Sequence, residues 1–160
     1  MAEKLEPGTA APVFTLPDQA GDPVSLGALS GRWVVLYFYP RDDTPGCTKE
    51  ACNFRDNFGA LKAAGAEVLG VSGDSQASHA KFATKYELPF KLLVDADHEM
   101  SKAYNAWGLK KNYGKEYEGM IRSTVVIDPA GRVAKVWPRV KPDAHGEEVL
   151  TWLKEHAAAS

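Results

Sequence analysis

The chain reads as a single α/β domain, a central mixed sheet flanked by helices with an N-terminal extension, on three observations. Residues 33–39, Trp-Val-Val-Leu-Tyr-Phe-Tyr, form an unbroken apolar, β-rich run of the kind buried on both faces of a sheet. Strand-like and helix-like periodicities then alternate as far as residue 104. Two closely spaced strand patterns and a final helix pattern end the chain, so a sheet that begins parallel should finish antiparallel. A length of 160 residues, 44% of them apolar, suits one core and leaves no room for a second, so the domain spans residues 1–160.

Taken in order, Pro7, Pro12, Pro17 and Pro23 punctuate the first 32 residues around short apolar alternations at Phe14-Thr15-Leu16 and Val24-Ser25-Leu26, giving a small hairpin or an extended arm. The run at residues 33–39 is the central strand and stops at Pro40. From Thr48, Ala51, Phe54, Phe58 and Leu61 recur at helical spacing up to Gly65, and residues 67–72 return as a strand. Asp74 or Ser75 caps the next helix, which runs through Phe82 and Tyr86 and is closed by Pro89. Residues 91–94 are a short strand, Asp95-Ala-Asp97 a turn and helix cap, and residues 99–104 a short helix. Residues 110–119 show no period and are expected to be a loop. Residues 120–127 and 132–140 are strands joined by the turn Asp128-Pro-Ala-Gly, and residues 147–156 are the closing helix.

Both cysteines fall within residues 37–55. After Pro40 a polar turn leads to Thr44-Pro45-Gly46, a helix start with Thr44 as N-cap and Pro45 at the first helical position. Cys47 therefore sits in the first turn, where backbone N–H groups lack intrahelical acceptors and the dipole is positive, so thiolate is favoured over thiol. The other fate of such a cysteine is a buried small hydrophobe, but Thr44, Pro45 and Gly46 supply little apolar cover. The Thr44 hydroxyl can accept from the Cys47 N–H while donating elsewhere. Arg122 is a charge out of pattern in the strand-like residues 120–127, either surface-facing or set beside an anion. Glu50 would oppose a thiolate unless paired with Arg122, and is otherwise a solvated helix glutamate. Cys52 is a packed helix cysteine or a second redox thiol.

Pro40, Thr44 and Cys47 together spell Pro-x-x-x-Thr-x-x-Cys. In this motif the sequence resembles the peroxiredoxins, thiol peroxidases that reduce hydroperoxides at a cysteine. Glu50 three residues after the cysteine and Cys52 five after it are similar to the Q subfamily, the bacterioferritin comigratory proteins. The likeness continues through Ile121-Arg122-Ser123-Thr124 and Val136-Trp137 to His145, covering nearly the whole chain. It implies a thioredoxin-like fold and a peroxidatic Cys47, with Thr44 a site residue and Pro40 shielding the pocket. It also implies that Arg122 holds the thiolate and orients the peroxide with Glu50 behind it, and that Cys52 resolves the sulfenic acid as an intramolecular disulfide. Thioredoxin or a similar dithiol is the implied reductant, and the implied state is a monomer. In an intact helix residues five apart have Cα atoms roughly 8.6 Å apart and differ by about 140° in azimuth, too far for a disulfide, so this helix would have to unwind in part.

Composition narrows the alternatives. A formal charge of −2 without a basic run argues against nucleic acid or a membrane surface as partner. The N-terminal Met-Ala-Glu-Lys-Leu-Glu-Pro has no apolar leader segment, so a cytoplasmic protein is expected, and two cysteines in a reducing compartment favour redox chemistry over a staple. His79, His98, His145 and His156 lack metal-site spacing with either cysteine, and no glycine-rich phosphate loop occurs, so neither metal nor cofactor is expected. A disulfide oxidoreductase would share the fold but would use Cys-x-x-Cys, which is absent. A non-enzymatic peroxide sensor or a holdase-like interaction protein, in which the same cysteine reports oxidation to a partner, is disfavoured by the lack of an extra domain.

Overall fold

A computed structural model describes residues 5–112 and 114–156. Residues 1–4, within the N-terminal segment on which the absence of a leader is expected, and Tyr113, within the expected loop, lie outside them. The N-terminal extension is a hairpin of β1 (Thr15–Pro17) and β2 (Pro23–Ser25), paired antiparallel and followed by a 3-10 turn at Gly27–Leu29. The main sheet has strands β3 (Trp33–Phe38), β4 (Ala66–Ser72), β5 (Lys91–Val94), β8 (Ser123–Ile127) and β9 (Val133–Trp137) in the order β5-β4-β3-β8-β9. β4 pairs parallel with β3 and β5, whereas β8 pairs antiparallel with β3 and β9. The sheet is thus mixed in the sense the strand order predicts, parallel on one side of β3 and antiparallel on the other.

β3 divides the core because side chains alternate across a strand. Val34, Leu36 and Phe38 join a cluster with the N-terminal arm, Met100 and Tyr104. Val35, Tyr37 and Tyr39 join a second cluster with Ala51, Phe54, Leu61, Phe82, Val149 and Leu153. Those residues belong to α1 (Pro45–Asp56), α2 (Phe58–Ala63), α3 (Gln76–Lys85) and α5 (His145–His156), which pack on one face of the sheet; α4 (Glu99–Ala103) contributes to the other. The single helix expected after Thr48 is two, because Asn57 leaves helical geometry at φ −102 and ψ 2. Ser75, not Asp74, caps α3 by accepting from the Ser78 N–H at 3.1 Å. The N-cap position of α4 is His98, which makes no side-chain cap; Asp95 instead accepts from the first-turn N–H groups of Met100 at 3.3 Å and Ser101 at 2.8 Å. No helix among the described residues is long and apolar enough to cross a membrane.

The expected loop at residues 110–119 is instead a hairpin. β6 (Trp107–Asn112) pairs antiparallel with β7 (Lys115–Met120), turning at Gly114 with φ 79. Its strands carry charged residues where a sheet would carry apolar ones, so no two-residue apolar alternation marks them. The turn glycine was the signal available. Arg122 is accordingly not inside a strand: it occupies the two-residue link between β7 and β8, where its carbonyl accepts from the Val140 N–H at 2.9 Å.

Candidate active site

α1 begins at Pro45 with Thr44 in extended geometry, as the sequence predicts, and this puts Cys47 in its first turn beneath the end of β3. Cys47 is nevertheless buried, 1% exposed and packed in the cluster of Tyr37, Tyr39, Ala51 and Phe54, contrary to the expectation of little apolar cover. That cover comes from β3 and from the second and third turns of α1, not from the residues adjoining the cysteine. Thr44 makes no side-chain cap; its hydroxyl donates to the Arg41 carbonyl at 3.1 Å, and its own carbonyl accepts from the Thr48 N–H at 2.8 Å. The expected bond from the Cys47 N–H to the Thr44 hydroxyl is therefore absent.

Arg122 crosses from the β7–β8 link and divides its fork. Nη2 donates to Cys47 Sγ at 3.3 Å, and Nη1 donates to Glu50 Oε1 at 2.8 Å. Glu50 and Cys47 are one turn apart on α1, so the i, i+3 spacing presents both to one guanidinium. The Glu50 side chain is fully buried and its Oε2 has no partner among the described residues. Burial raises the Glu50 carboxyl to about 7, with the Arg122 charge pulling the other way. The solvated alternative for Glu50 is thus replaced by the paired one. Gly46 makes the approach possible: a Cβ there would lie 3.0 Å from Arg122 Nη2 and 3.7 Å from Pro142.

Pro40 and Thr44 open onto a cleft of about 510 Å³, walled on its far side by Trp107, Lys110, Tyr117 and Met120 of the β6–β7 hairpin. Lys110 donates to the Met120 carbonyl at 2.9 Å, and burial with the nearby Arg122 charge lowers its pKa. Cys52 is half-buried on α1, and both cysteines are free thiols.

In the sequence, residues 41–43 show only a polar turn. In the fold Asp42 Oδ2 accepts from the Ser78 hydroxyl at 2.7 Å and meets His79 Nδ1 at 2.6 Å, while Oδ1 accepts from the Tyr39 hydroxyl at 2.5 Å. The Asp42 N–H donates to Asp74 Oδ2 at 2.7 Å. Asp43, held at φ 56, accepts from Lys85 at 2.7 Å and from the Tyr86 hydroxyl at 2.7 Å. These contacts bolt the turn before Cys47 to α3 and so set where α1 starts. At its other end α1 meets α5: Asn53 Oδ1 accepts from the Glu147 N–H at 3.2 Å, and a Cβ on Gly146 would lie 2.9 Å from the Asn53 carbonyl oxygen, so a glycine suits the crossing.

This arrangement, a thiol at a helix start against a shared guanidinium, can stabilise a thiolate and the negative charge that develops on an oxygen it attacks. Residues 7–136 match the AhpC/TSA family. The peroxiredoxin Bcp of Bacillus subtilis is 48% identical over 151 residues, 94% of this chain and 96% of its own length. Among solved structures, the Xanthomonas campestris bacterioferritin comigratory protein, described for its alkyl peroxide reduction activity, superposes with a TM-score of 0.86 at 40% identity, covering 90% of this chain and 92% of that one. A PrxQ mutant from Xylella fastidiosa superposes at 0.91 with 34% identity, covering 98% and 99%.

Proposed function

Because the chain belongs to the AhpC/TSA family, among the thioredoxin-like Bcp/PrxQ peroxiredoxins, and is a thiol peroxidase, we propose that Cys47 is the peroxidatic cysteine and Cys52 the resolving one. The observation that carries this is the Arg122 contact to Cys47 Sγ at 3.3 Å at the first turn of α1. A hydroperoxide, hydrogen peroxide or an organic one, enters the cleft between Pro40 and the β6–β7 hairpin. The Cys47 thiolate attacks the terminal oxygen; the S–O bond forms, the O–O bond breaks, and water or an alcohol leaves once the departing oxygen is protonated. Arg122 stabilises the charge on that oxygen, with Glu50 fixing its fork. The Thr44 hydroxyl, by rotating away from the Arg41 carbonyl, donates to the peroxide, and Pro40 removes a backbone donor and shields the pocket.

Cys52 then attacks the sulfenic sulfur, water leaves, and a dithiol protein, thioredoxin or one like it, reduces the disulfide. The protein would act as a monomer in the cytoplasm, where such a reductant is maintained. Peroxide-dependent NADPH consumption coupled through thioredoxin and its reductase tests the reading. Turnover with hydrogen peroxide is expected, and none would remove the assignment of the reductant.

Two results bear on Cys52. Cys52→Ser should react with one equivalent of peroxide and stop, trapping sulfenic acid at Cys47 and passing to sulfinic acid in excess oxidant, as read by intact mass. Normal thioredoxin-driven turnover by that variant would show that another thiol resolves. Disulfide formation also requires the first turns of α1 to open, because both cysteines lie on one intact helix. Ala51 and Phe54 are fully buried, so opening beyond Cys52 would expose a phenylalanine at a cost of about 1.5–3 kcal/mol, which should confine it largely to the turns before Phe54. Hydrogen exchange on reduced and disulfide forms should show protection lost across residues 44–54 on oxidation; equal protection in a confirmed Cys47–Cys52 disulfide would refute the opening.

A further inference from the structure

We propose that Glu50 is the proton reservoir of this site: a carboxylic acid while Cys47 is a thiolate, and a carboxylate once Cys47 is oxidised, acting through the Arg122 guanidinium that touches both. The proposal rests on the reading of Cys47 as the peroxidatic cysteine. Its basis is the way charge is housed. One guanidinium faces two acidic groups, Cys47 Sγ and Glu50 Oε1, in a pocket where Cys47 is 1% and Glu50 0% exposed. If both were ionised, the buried cluster would hold a net negative charge. Glu50 Oε2, which has no hydrogen-bond partner among the described residues, would also carry anionic charge, whereas the acid form leaves a neutral hydroxyl there.

The surrounding groups do not relieve this. On β3 the Tyr37 hydroxyl is buried without a hydrogen-bond partner among the described residues, and Glu50 and Cys47 are the first two charges that raise its pKa beyond what burial does. It stays neutral. Asp42 adds negative charge further off, and Lys110 on the hairpin feels Arg122 and Cys47. The direction in which burial moves Glu50, up to about 7, agrees with a carboxyl that keeps its proton near neutrality when a thiolate shares its cation.

The step balances. As Cys47 Sγ bonds to the terminal peroxide oxygen and the O–O bond breaks, sulfur loses two electrons to the peroxide and a hydroxide or alkoxide departs. That oxygen is protonated at the expense of Glu50, while Arg122 stays a guanidinium throughout and serves as counter-charge first to the thiolate and then to the carboxylate. Thiolate, hydroperoxide and carboxylic acid become sulfenic acid, water or alcohol, and carboxylate, and the pocket holds one negative charge before and after. Arg122 is then held by the carboxylate instead of the sulfur, which leaves Cys47 free to move toward Cys52. When the dithiol reductant reopens the disulfide, one of its two protons goes to Cys52 and the other to Glu50, restoring the starting state.

The test counts protons. In the Cys52→Ser protein, which should stop at sulfenic acid, peroxide is added in weak buffer with a pH-indicator dye, at a near-neutral pH where ultraviolet thiolate absorbance shows Cys47 ionised. Close to no proton should be drawn from solution per sulfenic acid formed. With Glu50→Gln added, under the same thiolate criterion, one proton should be drawn. Uptake of one proton by the protein that retains Glu50, or of none by the Gln variant, would overturn the proposal. Infrared difference spectra of the Cys52→Ser protein need no change at Glu50: peroxide should remove a protonated-carboxyl band, and an unchanged band would equally overturn it. Absence of sulfenic acid by mass would remove the Cys47 assignment itself, and so is distinguishable from failure of the reservoir.

Discussion

Cys47→Ser is expected to reduce peroxide consumption to the uncatalysed background, the largest effect of any single substitution in this chain. A serine hydroxyl at the same position is not ionised near neutrality and is a far weaker nucleophile, so neither the helix start nor Arg122 can restore attack. The fold should survive. Among the described residues the Cys47 side chain donates no hydrogen bond, and serine differs from it by little volume, so the cost is that of placing a hydroxyl in the cluster of Tyr37, Ala51 and Phe54. Arg122 can donate to that hydroxyl, which should keep the cost below the roughly 1–3 kcal/mol of a buried polar group left without a partner. The measurements are peroxide loss in single and multiple turnover together with thermal unfolding. Substantial peroxidase activity in a folded Cys47→Ser protein would sink the assignment.

Arg122→Ala should slow sulfenic acid formation by about 10²–10³, the effect of removing one preorganised donor from developing negative charge. The contact to Sγ is lost, and with it the cation that would compensate a thiolate formed in this buried pocket. Stability should fall as well. The partner of Glu50 Oε1 disappears from a pocket in which Oε2 already has none among the described residues, a loss of about 1–3 kcal/mol for a carboxyl that remains neutral. Arg122→Lys separates the two roles: an ammonium is a point charge and cannot span Sγ and Oε1 as the fork does, so it should recover stability better than rate. Stopped-flow detection of sulfenic acid and unfolding of the three proteins would measure both. An unchanged rate in Arg122→Ala would make this a structural arginine.

What the sequence by itself determined is whatever depends on neighbours in the chain. The central strand at residues 33–39 came within one residue of β3 because an unbroken apolar run has few other uses, and Thr44-Pro45 marked the start of α1 because capping and proline chemistry act over one turn. The same locality put Cys47 in the first turn, and the Pro-x-x-x-Thr-x-x-Cys motif pointed to its family. Other features only the tertiary structure decided. Arg122 reaches Cys47 across 75 residues and leaves Glu50 fully buried, which converts a plausible surface glutamate into a perturbed acid. The turn at Asp42 and Asp43 is tied to His79, Lys85 and Tyr86, partners more than 35 residues distant that no periodicity couples to it. The β6–β7 hairpin stayed hidden because its outward residues are charged and its stability comes from backbone pairing, which leaves no apolar alternation to read. Burial of Cys47 escaped for a related reason: its cover is β3 and the later turns of α1, so the dielectric around the sulfur is a property of packing, and a sequence states only the charges that packing will bring together.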